Sequence, residues 1–196
     1  MYQPLAADCP RAVVFNPLLA ASLNNLSLCF YNLSHQEDAL QTMKEAVEIR
    51  RPLAADCPVG FHPHLASSLN NLSIQLSEQG HREAALGENE EAVELCRQFA
   101  ADRPAVFNPH LAKSLRNLSL RLSTLGHREP ALEVNQEAVK MYQALTADRP
   151  VVFNPDLAGS PNNLSFHLSG LVIEKLLWRQ SKRQSKCISN LPLTVP

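Results

Sequence analysis

The stretch Leu69-Asn70-Asn71-Leu72-Ser73 lies in the first half of the chain, and it has close copies on both sides. The triplet Asn-Leu-Ser recurs every 46 residues, starting at Asn25, Asn71, Asn117 and Asn163. Self-similarity with a period of about 20 to 50 residues is the signature of a repeat architecture. Prolines at the same offset mark the starts of the units, at Pro17, Pro63, Pro109 and Pro155. The predicted organisation is a partial unit 1–16, full units 17–62, 63–108 and 109–154, and the first helix of a fourth unit at 155–170.

Each full unit is predicted to form two helices. The first helix should follow the unit's proline, a residue that suits the opening helical position, with Asn16 or Asn108 able to cap it. Its apolar residues recur in steps of four and three, which places them on one helical face. They are Leu19, Leu23, Leu26, Phe30 and Leu33, then Leu65, Leu69, Leu72 and Leu76, then Leu111, Leu115, Leu118, Leu122 and Leu125. Gly80 and Gly126 are predicted to end the first helices as left-handed residues.

The second helices are predicted at about 35–54, 81–101 and 127–147. Each carries alanines at fixed repeat positions, which would let two helices approach closely. They are Ala39, Ala85 and Ala131, and then Ala46, Ala92 and Ala138. The AADCP, AADRP and TADRP stretches that follow are predicted to form the turns between units.

The residues Leu69-Asn70-Asn71-Leu72, Leu76, Gly80, Glu83, Ala85 and Ala92 follow a pattern that resembles the tetratricopeptide repeat. It is most similar to the longer repeats of the kinesin-light-chain kind. The resemblance implies an all-α fold, an α-α superhelix (tetratricopeptide solenoid) of antiparallel helix pairs. It also implies a protein–protein interaction module whose concave groove binds an extended peptide or partner protein. Met43, Asn89 and Asn135 depart from the family, which has an aromatic residue in the second helix.

Paired asparagines in the middle of the first helices are the candidate groove residues. Asparagine is a mediocre helix former, and its carboxamide can both donate to and accept from a peptide backbone. Adjacent helical residues point about 100° apart, so one member of each pair can line the groove while the other faces the next helix. The candidates are Asn24, Asn25, Asn70, Asn71, Lys113, Arg116, Asn117, Asn162 and Asn163, in which Lys113 and Arg116 would favour an acidic ligand. By resemblance, such asparagines hold the main chain of a bound peptide. The alternative is a buried asparagine ladder that bonds loop carbonyls between repeats.

The two ends depart from the repeat. Residues 1–10 resemble residues 141–150, the last part of a second helix. In the fourth unit Pro161 replaces a stripe leucine, and 171–196 is an aberrant tail with five basic residues. Translated one base out of frame, that tail is compatible with a string like residues 126–150. This favours a frame-shifted fourth-unit helix over a nucleic-acid patch.

Composition excludes several functional classes. A net charge of −1 argues against a nucleic-acid binder, and no apolar run is long enough to span a membrane. The five cysteines form no CxxC pair, which favours reduced thiols and a cytoplasmic location. His62 and His64 are interpreted as residues of a solvated turn, not as metal ligands. No catalytic, cofactor or metal motif is present, so the prediction is no enzyme, no cofactor and no metal.

Two readings remain. The leading one is an interaction module with a protein or peptide ligand. The alternative is a truncated or frame-shifted fragment of a longer repeat protein with no independent function. In either case uncapped apolar helix faces at the ends could cause self-association.

Overall fold

The computed structural model describes residues 15–148, and these form six consecutive α-helices. They are α1 (Phe15–Asn32), α2 (Gln36–Asp56), α3 (Pro58–Glu78), α4 (Arg82–Ala100), α5 (Pro104–Thr124) and α6 (Arg128–Asp148). Neighbouring helices pack as pairs, α1 with α2, α3 with α4 and α5 with α6. Successive pairs stack because α2 packs on α3 and α4 packs on α5. The predicted all-α helical solenoid is confirmed. The predicted partial unit 1–16 lies outside the described residues except for its last two positions, and so do the fourth-unit helix 155–170 and the tail 171–196. The predictions about these segments stay predictions.

The first helices of the second and third units begin earlier than expected. We predicted helix starts after Pro63 and Pro109, but α3 begins at Pro58 and α5 at Pro104. A proline at the first helical position loses nothing, since its missing N–H would have no partner there. Pro63 and Pro109 are instead inside their helices, where each removes one backbone hydrogen bond. The predicted turn at AADCP is therefore wrong for most of its length, because α2 continues to Asp56 and only Cys57 separates it from α3.

Small side chains set the distance between paired helices. Three alanine positions that recur in every described unit are fully buried, with 0% exposure throughout. They are Ala20, Ala66 and Ala112 on the first helices, and Ala39, Ala85, Ala131, Ala46, Ala92 and Ala138 on the second helices. Larger residues fill the remaining space, with Leu69 and Leu115 at the centre of the core beside Met43 and Phe107. The prediction that the alanines allow close approach is confirmed.

Candidate binding groove

Within residues 15–148 the first helices α3 and α5 pack directly against each other, whereas the second helices α4 and α6 do not. Short polar side chains link α3 to its neighbours, through Asn71 to Asn24 of α1 and through Asn70 to Ser114 of α5. Long Arg–Glu ion pairs link α2 to α4 and α4 to α6. Because short side chains link the first helices and long side chains link the second helices, we infer that α1, α3 and α5 line the inner side of the array.

We define the groove stripe as the four repeat positions along the inner side of the first helices. On α3 these are exposed or half-buried, and they recur in steps of three and four. The stripe consists of Leu18, Ala21, Asn25 and Leu28 on α1, His64, Ser67, Asn71 and Ile74 on α3, and His110, Lys113, Asn117 and Leu120 on α5. The second asparagine of each predicted pair therefore belongs to the stripe.

The first asparagine of the central pair lies inside the array. Asn70 is 1% exposed, and its Nδ2 donates to Ser114 Oγ at 2.8 Å. Its Oδ1 accepts from Asn89 Nδ2 at 2.7 Å, and Asn89 Oδ1 accepts from Ser73 Oγ at 2.7 Å. The network ties α3 both to its own second helix and to the next unit. Asn70 thus occupies the buried ladder that we had kept as the alternative, although its partners are side chains and not loop carbonyls.

Asn24 is the repeat equivalent of Asn70, and it is half-buried on α1. Its Oδ1 accepts from Ser68 Oγ and from Asn71 Nδ2, each at 3.3 Å. The Asn24–Ser68 contact repeats the Asn70–Ser114 contact one unit earlier. Asn24 therefore links units, as Asn70 does, but with more of its side chain in solvent.

The three second asparagines differ in their surroundings. Asn25 is exposed and Asn71 is half-buried. Asn117 is only 5% exposed, yet its Nδ2 has no hydrogen-bond partner. A buried donor without a partner costs about 1–3 kcal/mol. Asn117 therefore carries hydrogen-bonding capacity that the protein itself does not use.

Positive charge gathers on the inner side of α5. Lys113 is exposed and Arg116 is half-buried one turn further along. Burial lowers the pKa of the Arg121 guanidinium, whose Nε has no hydrogen-bond partner. Burial also lowers the pKa of His110, and the nearby His64 and Lys113 lower it further. Lys113 and Arg116 make the α5 end of the stripe basic, while α1 has no charged residue.

Two histidines belong to the stripe that the sequence analysis did not assign to it. His64 and His110 share a repeat position, and His110 Nδ1 lies 3.3 Å from Ser67 Oγ. The 46-residue spacing between them was the signal that could have identified them. Asn162 and Asn163, the remaining predicted site residues, lie outside the described residues.

The interpretation of His62 and His64 as residues of a solvated turn is wrong, because both lie within α3. His62 is buried, and its ring meets Phe99 edge-on with the ring centroids 5.3 Å apart. The extension of α3 back to Pro58 causes the difference. Within residues 15–148 no three His, Cys, Asp or Glu side chains are grouped closely enough to hold a metal ion.

The cysteines are not all reduced. Cys57 is in a disulfide bond, which differs from the expectation of reduced thiols, whereas Cys29 and Cys96 are free. Burial raises the pKa of the Cys96 thiol to about 12, although its contact with Ser114 acts in the opposite direction. Cys96 is therefore a packing residue and not a nucleophile. Among the described helices, none is long and apolar enough to cross a membrane.

Comparison with known proteins agrees with this architecture. The family model described as "Tetratricopeptide repeat" matches residues 65–98 and 111–146. Among solved structures 39 chains match, and one of them is the crystal structure of BtubC (BKLC) from P. vanneervenii. That structure is 17% identical with a TM-score of 0.64, and the match covers 92% of this chain and 68% of that one. At this identity the similarity establishes the fold. No curated protein matches the chain.

Proposed function

Since this chain is a tetratricopeptide-repeat protein, a class that generally mediates protein–protein interaction, we propose that its groove stripe binds an extended segment of a partner protein. The observation that carries the proposal is the row of Asn25, Asn71 and Asn117, which share one repeat position on three successive first helices. The Nδ2 of Asn117 is enclosed as well as unpartnered, so a peptide carbonyl would reach it only after the side chain turns toward the groove. The cytoplasmic location expected from the sequence stays a prediction.

The stripe supports binding of a main chain. Asn25, Asn71 and Asn117 follow one another at one repeat position, one on each first helix. A carboxamide offers two donors and an acceptor, so a row of asparagines can pair with peptide groups whatever the side chains of the ligand are. Asn71 uses one donor on Asn24, which leaves further capacity on its amide.

The charge of α5 favours an acidic ligand segment. Lys113 lies on the stripe, and Arg116 lies beside it. The acidic Glu78 of α3 is occupied elsewhere, because it accepts a hydrogen bond from Tyr31 Oη at 2.6 Å. An acidic side chain placed near α5 would gain attraction from both cations. Because Lys113 is exposed, its contribution is largest at low ionic strength.

Selection of random extended peptides against the full chain tests this function. We expect selected peptides to bind at least tenfold more weakly to the Asn71→Ala and Asn117→Ala variants, a loss of about 1.4 kcal/mol. Because the Asn117 amide lacks a partner, Asn117→Ala should leave the free energy of unfolding unchanged or higher. A loss of binding without a loss of stability would separate ligand contact from a structural role.

Two controls complete the experiment. Lys140→Ala lies on the exposed side of α6 and should not alter peptide affinity. Asn70→Ala breaks the buried network with Asn89 and Ser114, and it should lower stability by about 1–3 kcal/mol. The groove assignment is wrong if no peptide is selected, or if Asn71→Ala and Asn117→Ala bind the selected peptides as tightly as the wild-type chain does.

A further inference from the structure

One side of α1, next to the groove stripe, presents an apolar surface whose equivalents on α3 and α5 are mostly buried. We call it the α1 end face, and it consists of the stripe Leu19, Leu23, Leu26, Phe30 and Leu33. Leu19 is 51% exposed, Leu26 46% and Leu33 68%. Together with α2 the face forms an open pocket, lined by Leu19, Leu23, Gln41, Lys44, Glu45, Glu48 and Ile49. This surface is separate from the groove stripe, since it lies on the neighbouring side of α1.

The chain itself shows twice what covers such a face. On α3, which packs against α2, the equivalent leucines Leu65, Leu69, Leu72 and Leu76 are buried, and on α5, which packs against α4, Leu111, Leu115 and Leu118 are buried. The equivalents of Leu33 are Gln79 and Leu125, and both are half-buried. In both places the covering element is a second helix, and Val93 of the covering α4 lines one pocket together with Leu115 and Leu118 of α5. The exposed leucines of α1 therefore occupy the same repeat positions as the leucines that a second helix covers on α3 and on α5. We call those two covered faces the filled sites.

An ion pair accompanies each filled site. Arg51 of α2 pairs with Glu91 of α4, and Arg97 of α4 pairs with Glu137 of α6. Arg97 Nη2 lies 3.0 and 3.1 Å from the two carboxylate oxygens of Glu137. In both pairs the covering helix supplies the arginine, and the second helix of the accepting unit supplies the glutamate. The two glutamates share one repeat position.

The α1–α2 pair has the accepting glutamate. Glu45 occupies the repeat position of Glu91 and Glu137, and it lines the pocket. Its Oε1 accepts only from Gln41 Nε2, at 3.2 Å, among the side-chain hydrogen bonds seen in residues 15–148. The other charged groups that line the pocket are Lys44 and Glu48, so its net charge is negative. An arginine arriving in the position of Arg97 would therefore meet an acidic rim above an apolar floor.

We propose that the α1 end face docks an amphipathic helix of another protein, in the way that α5 and α6 accept α4. The docking helix would carry an alanine- and valine-rich stripe against Leu19, Leu26 and Leu33, and an arginine opposite Glu45. Its chemistry is that of a second helix of a similar repeat. This site adds a second interaction surface to the groove and does not depend on it.

A labelled peptide of residues 82–103, with Cys96→Ala to prevent oxidation, is the probe. Within the chain Arg97 of this segment pairs with Glu137, and in the peptide it would pair with Glu45 in the same way. We expect saturable binding to the full chain by fluorescence polarisation, and at least tenfold weaker binding to Leu26→Asp. Val106→Asp is the control, since Val106 is an exposed apolar residue of α5 that belongs neither to the groove stripe nor to the α1 end face, and this variant should bind the peptide as the wild type does.

Charge reversal tests the register. Glu45→Lys should weaken binding of the peptide, and a peptide carrying Arg97→Glu should recover affinity for that variant. Absence of saturable binding would overturn the proposal, and so would binding that Leu26→Asp leaves intact. Sedimentation of the full chain distinguishes the other occupants. A dimer that Leu26→Asp dissociates identifies a second copy as the occupant, and stronger peptide binding by Leu5→Asp identifies residues 1–14. Either result would refute a helix of another protein.

Discussion

At the residue scale, one backbone position in each unit adopts a left-handed conformation. Gly80 and Gly126 both have φ of 86°, and Ser34 at the equivalent position has φ of 63°. The same two hydrogen bonds close all three helix ends: His81 N–H donates to Leu76 O at 2.9 Å and Gly80 N–H to Ser77 O at 3.2 Å. This is the Schellman arrangement, and it satisfies carbonyls that the helix leaves open. The left-handed glycines predicted from the sequence are confirmed, and the serine carries a steric cost that they avoid.

Replacing Ser34 by glycine should therefore stabilise the protein. Relief of the left-handed strain gains about 1–2 kcal/mol, and the freer unfolded chain loses about 0.4–1 kcal/mol. We expect Ser34→Gly to raise the free energy of unfolding in urea by about 0.5–1 kcal/mol. Gly80→Ala should lower it, although an added Cβ would have nothing within 4 Å. The control is Gly87→Ala inside α4, which should be stabilising; equal effects at Gly80 and Gly87 would contradict the backbone argument.

At the scale of the element, the exposure of a helix's apolar residues depends on which helices pack against it. The apolar stripes of α1 and α3 have the same spacing, yet Leu72 is 4% exposed and its equivalent Leu26 is 46% exposed. The sequence analysis placed both on the packing face of a first helix. The predicted spacing of the leucines is present on both helices. Of these two, however, α3 is covered by the second helix of the preceding unit, and α1 has no such helix over it among the described residues.

The same substitution should have different effects on these two helices. Leu72→Ala removes a buried side chain and leaves a cavity, so it should cost about 2–5 kcal/mol of stability. Leu26→Ala removes a half-exposed side chain and should cost less than about 1 kcal/mol. Urea or thermal unfolding of the two variants measures both values. A cost for Leu26→Ala as large as that for Leu72→Ala would mean that the α1 end face is covered in solution.

At the scale of the whole molecule, two histidines at the junctions between units, the buried His62 and the half-buried His110, link stability to pH. His62 of α3 packs against Phe99 of α4. Its Nδ1 has no hydrogen-bond partner. Burial lowers the pKa of His62, despite an opposing hydrogen bond with the backbone of Leu95. Burial and neighbouring cations lower the pKa of His110 as well. Both histidines lie near the starts of first helices, where one unit meets the next.

The protein should therefore lose stability as the pH falls. A histidine with a lowered pKa in the folded state binds fewer protons there than in the unfolded chain, whose pKa is about 6.5. The contribution is complete above about pH 7 and declines as the pH falls through 6.5 toward the lowered pKa. Each histidine adds at most about 1.4 kcal/mol per pH unit. We expect the free energy of unfolding to fall between about pH 7.5 and 5.5.

The double variant His62→Gln with His110→Gln is the control for this pH dependence. It should have a flatter profile than the wild-type chain over the same interval, whatever its absolute stability. A wild-type slope that survives both substitutions would assign the pH dependence to other groups.

Local patterns in the sequence predicted the bounds of the second helices closely. They did not predict where the first helices α3 and α5 begin. The second helices end within two residues of the expected positions, because their alanine columns and flanking glycines are local signals. The starts at Pro58 and Pro104 were missed because two prolines in each unit suit the first helical position, and only the packing of the preceding turn selects between them. For the groove candidates, the sequence placed asparagines in pairs but could not say which member of a pair faces inward.

The sequence by itself determined the period of 46 residues, the helix pairs and the positions of the left-handed turns. Each of these depends on neighbours within a few residues along the chain, so one unit carries the whole signal. Only the tertiary structure decided that Asn70 is enclosed in a network with Asn89 and Ser114, and that Asn117 keeps an unpartnered amide. It also decided that Leu26 is exposed while Leu72 is buried. Burial and hydrogen bonding depend on which helix of another unit lies over a residue, and that information is not contained in the residue's own repeat.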